Sequence, residues 1–290
     1  NERYGNVVIK LYKSDFDNSD ENLTFNRELE ALLNLGEHPN ILSLIDWGIH
    51  EETGDMFLVT PKMDVTLSDF EGMSEKEIAL NLLEETFDYQ NSENLNKEKI
   101  VEECLEEISE EKKQDPWKFL VEDYIPLIEG LKFTYEKGII HRDIKPSNIF
   151  LNYEFENDEI EPRYILGDFG SSKIKHIFSN NGNTNLSCGT EPWSPPRTVE
   201  EKKFQDTWDV YSIGVLIANE FFNEINRRKN KLECFTYPND FEDVQDLLND
   251  KVQEIIGKER YQFLENCLSF NPKKRPKNIV EFTDEIKQLI

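Results

Sequence analysis

The stretch IIHRDIKPSN, residues 139–148, sets a histidine, an arginine, an aspartate, a lysine and an asparagine behind two isoleucines. Polar turns are common, and their charges usually only face water. Such a turn needs no particular order of residues. Here the order carries on, through NIFL (148–151), the acidic run NYEFENDEIEPR (152–163), RYILG (163–167) and then GDFG (167–170). Two short apolar runs joined by an acidic connection read as a strand pair. A loop so rich in oxygen ligands and cations suits a site holding a reacting hydroxyl, a phosphate and a hard metal ion together.

Working outward, NVVIKLY (6–12) carries Lys10 in an otherwise apolar, β-branched run and predicts a strand. NLTFNRELEALLNLG (22–36) places apolar residues at 25, 29, 32 and 33, a helical spacing closed by Gly36. ILSLIDWGIH (41–50) and MFLVTPKM (56–63) read as strands, with EETGD (51–55) as the hairpin between them. From residue 64 the pattern turns mostly helical. SEKEIALNLLEETF (74–87) opens with the capping-box pair Ser74 and Glu77, and NKEKIVEECLEEISEEKK (96–113) shows an apolar stripe among glutamates. KFLVEDYIPLIEGLKFTYEKG (118–138) is a longer helix that Pro126 is expected to bend. DVYSIGVLIANEFF (209–222) is apolar nearly all round, which predicts a buried central helix.

A strand lysine, a helix glutamate, HRDIKPSN and GDFG in this order resemble the signature set of the eukaryotic protein kinases, over residues 1 to about 285. The resemblance implies an α+β, bilobal kinase-like fold. Residues 1–63 would form an incomplete small β lobe (third strand, regulatory helix, two further strands, start of the hinge). Residues 64–290 would form a larger, mostly helical lobe with an acidic insertion at about 71–115. It also implies ATP and Mg²⁺ as cofactors and a protein substrate with a Ser or Thr acceptor. In phosphoryl transfer, positioning and charge neutralisation dominate. Asp143 would orient the substrate hydroxyl and take its proton, and Lys145 would sit near the γ-phosphate. Asn148 and Asp168 would hold Mg²⁺. Lys10 would grip the α- and β-phosphates, held by an ion pair from Glu28. Glu30 competes for that place, but it lies about 160° round the helix from Glu28. Thr60 falls at the gatekeeper position, with Pro61, Lys62 and Met63 as hinge; adenine would be read by the Pro61 carbonyl and the Met63 N–H. The pattern around Lys145, together with Thr190 in CGTEPW, resembles the serine/threonine branch. His141 is expected beneath Phe169, with Leu32 in the same stack, and Asp209 beneath the backbone of the catalytic loop.

Taken singly, each residue has a plain structural reading: Lys10 as an exposed strand lysine, Glu28 as a solvated helix charge. The conjunction is what lifts them above it. The rival reading is a pseudokinase, a binding or scaffold module that kept the fold. A small-molecule kinase of related fold suits the Thr190 and SPPR region less well.

Two places depart from the family pattern. No G-x-G-x-x-G occurs, and nine residues precede Lys10, so the sequence reads as opening at the turn before the third strand. SPPR (194–197) stands where A-P-E is expected, so that Arg197 replaces a glutamate that would pair with Arg275. Two cations opposed in a buried contact would be costly, which predicts that Glu200 or Glu201 supplies the missing carboxylate. Arg142, just before Asp143, implies a phosphate-holding role toward the activation segment, where Ser179, Thr184 and Ser187 are candidates and Thr184 or Ser187 is favoured. The insertion and the absent glycine loop are similar to the monomeric yeast kinases that activate cyclin-dependent kinases.

Composition narrows the rest. Fifty-nine acidic against 33 basic residues give a net charge of −26, which excludes sequence-independent binding to nucleic acid, where a basic face is needed. The acidic insertion is a solvated surface or a docking site for a partner. No apolar run of about 18 residues occurs, so no membrane span is expected. Cys104, Cys188, Cys234 and Cys267 are widely spaced and read as reduced thiols, in a cytoplasmic or nuclear monomer.

Overall fold

The computed structural model describes residues 6–13, 19–74, 76–78, 80, 114–156, 159–175, 189–196, 198, 201–203, 205–228 and 236–290. Strand β1 (Val7–Tyr12) leads to helix α1 (Ser19–Leu35), then to β2 (Asp46–Ile49) and β3 (Met56–Pro61). The three strands form an antiparallel sheet in the order β1–β3–β2, with Lys10 opposite Leu58 and Val8 opposite Thr60. Side chains alternate across a strand, so Val8, Lys10 and Tyr12 share one face of β1. Helix α1 packs against this sheet, where Phe25 meets Tyr12 edge-on, and its Leu29 and Leu32 are buried in the core. The strand expected over 41–50 is shorter, because only Asp46–Ile49 pair with β3. Residues 40–42 bond elsewhere: Leu42 N–H donates to the Leu166 carbonyl at 2.8 Å, and Leu166 N–H donates to the Asn40 carbonyl at 2.9 Å. That crossing ties the segment after α1 to the strand that precedes GDFG.

The remainder is mainly helical. After the short strand β4 (Val65–Thr66), helix α2 (Pro116–Glu136) starts at an N-cap, Asp115, whose side chain accepts from the Lys118 N–H, and it runs on through Pro126. Helix α3 (Trp208–Arg228) is buried along most of its length, from Trp208 through Val210, Tyr211, Ile213 and Leu216 to Phe221, as its all-round apolar pattern requires. Trp117 of α2 stacks on Phe221 of α3 at 5.5 Å between ring centroids. Burying one such side chain stabilises by roughly 1.5–3 kcal/mol, so these helices hold the body together. Helices α4 (Phe241–Asp246), α5 (Asp250–Ile256), α6 (Lys258–Cys267) and α7 (Ile279–Leu289) complete it. Between α2 and α3 run β5 (Ile139–Ile140), β6 (Ile149–Glu156), β7 (Glu159–Leu166) and β8 (Lys173–Ile174). β6 and β7 form a hairpin flanked by β4, and β5 pairs with β8.

Ser74 and Glu77 form the expected reciprocal cap: the Ser74 N–H and hydroxyl both donate to the Glu77 carboxylate at 2.7 Å. The helix expected over 96–113, the residues Ser179, Thr184, Ser187 and Arg197, and most of the acidic insertion lie outside the described residues. Arg275 meets Glu201 at 2.6 Å with both side chains fully buried, so one of the two expected glutamates supplies the carboxylate. Among the described residues no helix is long and apolar enough to cross a membrane.

Candidate active site

The HRD loop is hung from α3. Asp209, in the first turn of that helix, accepts from the backbone N–H groups of His141 at 2.9 Å and Arg142 at 2.8 Å. Burial pushes the Asp209 carboxyl up, while His141, the two amides and Arg142 pull the other way and leave it above the usual range. This grip holds an unusual backbone at Arg142, where φ is 68°; Asp168, on the neighbouring turn, is left-handed as well, with φ 58°. Left-handed non-glycine residues cost of order 1–3 kcal/mol and persist only where surroundings fix them. His141 supplies a second tie. Its Nδ1 accepts from the Asp143 N–H at 3.3 Å, and its Nε2 donates to the Gly167 carbonyl at 2.9 Å, the tautomer those partners demand. The His141 ring meets buried Phe169 edge-on at 4.7 Å. One imidazole therefore joins the two loops. The Arg142 guanidinium donates to the Ser171 carbonyl at 2.8 Å and the Ser172 carbonyl at 3.1 Å.

Asp143 sits in a dense hydrogen-bonded group. The Thr190 hydroxyl donates to Asp143 Oδ1 at 2.9 Å. Lys145 Nζ donates to Thr190 Oγ1 at 2.7 Å and lies 3.0 Å from Asp143 Oδ2. Asn148 turns its Nδ2 to the Asp143 carbonyl at 2.8 Å, which leaves Oδ1 as the amide's remaining ligand atom. Gly189 makes the Thr190 approach feasible. Its φ is 87°, and a Cβ there would lie 2.9 Å from the Arg142 carbonyl.

Lys10 completes the site from the other side. Its Nζ lies 2.7 Å from Glu28 Oε2 and 2.9 Å from Asp168 Oδ1, joining β1, α1 and the GDFG turn. Burial opposes the lysine's charge, but the Glu28 and Asp168 carboxylates outweigh it and raise its pKa. Burial likewise pushes Asp168 up, and the Lys10 charge and hydrogen bond bring it below the usual carboxylate range. Both shifts point to a charged pair. Helix α1 lies so close to the turn that a Cβ on Gly170 would come within 2.8 Å of Thr24. Glu30 has no place in the group. Tyr12, which no motif singled out, also donates its hydroxyl to Glu28 Oε2. The alternation of β1 was the signal that could have found it.

Thr60 and Pro61 end the central strand, opposite Val8 and Val7, and Met63 follows just beyond. Lys62 N–H donates to the Asn6 carbonyl at 3.0 Å, fixing the strand's exit. Thr60 thus lies on the face of the sheet that carries Lys10. Asp168 and Asn148 present carboxylate and amide oxygens, the donor type a small hard cation takes. Among the described residues no cluster of three or more His, Cys, Asp or Glu forms a complete cage. A site with one carboxylate and one amide fits Mg²⁺ sharing its shell with phosphate and water.

The sequence matches the protein kinase domain family model over residues 1–288. It is 28% identical over 224 residues to the DNA damage response protein kinase DUN1 of Saccharomyces cerevisiae, covering 73% of this chain and 36% of that protein. A probable serine/threonine-protein kinase of Dictyostelium discoideum is 26% identical over 291 residues, covering 99% of this chain and 56% of that protein. An Aurora kinase of Yarrowia lipolytica is 40% identical over 89 residues, covering 31% of this chain and 21% of that protein. The chain thus spans from about a fifth to just over half the length of these relatives.

Proposed function

The chain belongs to the protein kinase family, and on that premise we propose that it transfers the γ-phosphoryl group of ATP to serine or threonine hydroxyls of proteins. The observation that carries this reading is Lys10 Nζ suspended between Glu28 and Asp168, carboxylates from two distant elements. A module that only bound partners would have no use for a half-exposed lysine so held. Bound Mg²⁺ would neutralise the phosphates of ATP, with Asp168 and Asn148 as its protein ligands. Lys10 would orient the α- and β-phosphates, and Glu28 would hold Lys10. Asp143 would accept the substrate hydroxyl's proton, and Lys145 would offset charge developing at the transferred group. The Pro61 carbonyl and Met63 N–H would receive adenine beside Thr60. The contact of Lys145 with Thr190 supports a Ser/Thr acceptor.

In this reading residues 1–63 belong to a small lobe and 64–290 to a large one, in a monomer of the cytoplasm or nucleus. The acidic stretch 71–115 offers a docking surface to a partner. Asp143→Asn in the full-length protein tests the core of the proposal. Phosphate transfer to protein should fall by a factor on the order of 10² or more, with phosphoserine or phosphothreonine as the parent's product. Equal rates for variant and parent, in a radiolabel assay, would overturn it.

A further inference from the structure

We infer that Tyr12 is a positioning residue of the active site, its hydroxyl holding the Glu28 carboxylate that in turn aims Lys10. This rests on the phosphoryl-transfer reading and extends it to a residue outside the recognised motifs. Tyr12 follows Lys10 by two positions on β1, so both side chains leave the strand on the same face. Both reach the same atom, Glu28 Oε2. The tyrosine is only 6% exposed, and its ring meets Phe25 edge-on at 5.3 Å. Phe25 precedes Glu28 by three residues on α1, so ring and hydroxyl grip one face of one helix. Lys10 Nζ also lies 5.5 Å from the Tyr12 ring centroid, within range of a cation–π attraction. Burial and the neighbouring Glu28 charge raise the phenol's pKa, so it remains a protonated donor throughout the physiological range.

The arrangement answers a mechanical need. Lys10 Nζ divides itself between Glu28 and Asp168, and an incoming phosphate would be a third claimant. Glu28 is 4% exposed, so water cannot replace a partner that turns away. A buried carboxylate left with one donor fewer is costly. Tyr12 is a neutral donor that no nucleotide competes for. It keeps Glu28 at the sheet, and with it the direction of the lysine.

Tyr12→Phe removes the hydroxyl and leaves the ring on Phe25. In the full-length protein kcat/KM for ATP should fall about tenfold, carried by KM. The Kd of a fluorescent adenine nucleotide measured with Mg²⁺ should rise by the same factor. A hydroxyl that served stability alone would lower the melting temperature and the active fraction, hence kcat, and leave KM and Kd in place. In a Glu28→Gln background the same change should add little: the glutamine still accepts from Tyr12 but no longer holds the charge of Lys10, so the hydroxyl has nothing left to aim. Unchanged KM and Kd in Tyr12→Phe, or an undiminished loss in the Glu28→Gln background, would overturn the inference. The binding arm does not depend on catalysis. Failure of the phosphoryl-transfer reading would show as an active Asp143→Asn variant, and failure of this inference as unaltered nucleotide affinity.

Discussion

Arg275 and Glu201 meet with both side chains fully buried, whereas Lys10 meets Glu28 with the lysine side chain still 42% exposed. The contrast lies in how the donors are used. Arg275 gives Nη2 to Glu201 Oε1 at 2.6 Å, Nη1 to Oε2 at 3.2 Å, and Nε to the Ser269 carbonyl at 2.8 Å. Its Nη1 also faces the Thr207 hydroxyl at 3.3 Å, and its guanidinium lies 5.0 Å from the Tyr211 ring centroid. Both carboxylate oxygens are engaged by one rigid fork, so the pair is closed. Lys10 is a point charge on a flexible stem, split between two carboxylates from different elements. A closed, buried pair fixes structure, and an open, shared one can exchange partners.

Breaking the closed pair should have the largest effect on stability. Glu201→Ala would leave a buried guanidinium without its counter-charge, at a cost of about 3–5 kcal/mol. That is a large part of a domain's net stability. Arg275→Ala should behave alike in urea unfolding. Arg275→Met combined with Glu201→Leu removes both charges and should recover most of the loss. A single substitution that leaves the urea midpoint unmoved would break the contrast.

The next effect belongs to Asp209, whose two oxygens take two backbone N–H groups of the catalytic loop. Asp209→Asn keeps one acceptor and turns an NH₂ group toward the other amide. About 1–3 kcal/mol should be lost. Activity should fall further than stability, because the loop that holds Asp143 loosens. A variant with parental kinetics and parental stability would show that the strained Arg142 backbone needs no brace.

These residues show what was legible in the sequence. Asp209, His141 and Asp143 were legible only through the resemblance to the protein kinases, whose motifs keep their order along a loop, a strand pair and a helix start. Glu28 could be chosen over Glu30 because two residues separate opposite faces of a helix. The partner of Arg275 could be narrowed only to Glu200 or Glu201, since one residue turns the chain by an amount spacing alone cannot decide. Residues 41 and 42 read as the start of a strand on composition, yet Leu42 and its neighbour Asn40 bond to Leu166 and Tyr164, more than 120 positions away. Pairing over such a distance leaves no local periodicity. Tyr12 was hidden for a different reason: an aromatic residue in a strand reads as core, and its ring is core, while its hydroxyl does something else.

Smaller again is the stability effect at the open pair. Glu28→Gln keeps the shape and the acceptor for Tyr12 but removes the charge facing Lys10. Because the lysine is half in water, the change in stability should stay within about 1 kcal/mol. Catalysis should suffer far more, with kcat/KM for ATP falling by at least about tenfold. Unfolding curves and initial rates on one preparation would separate the two. A loss in stability equal to that of Glu201→Ala would erase the distinction between the pairs.

The smallest effect is a pH signature at Asp168. Its carboxyl is held below the usual range: burial raises it, and Lys10, His141 and the Gly170 N–H more than reverse that. A carboxyl with a depressed folded-state pKa contributes stability above its unfolded-state pKa, roughly pH 4, and loses it as the pH falls through the folded-state value. Asp168→Asn should therefore be less stable than the parent by a small, constant margin from pH 7 down to about pH 4. Below that the margin should close, as the parent's own carboxylate takes up its proton. The margin is small because both side chains remain about 40% exposed and water screens the pair. A margin that closed between pH 7 and pH 5 would mean that Asp168 titrates above the usual carboxylate range, and that Lys10 does not hold it charged.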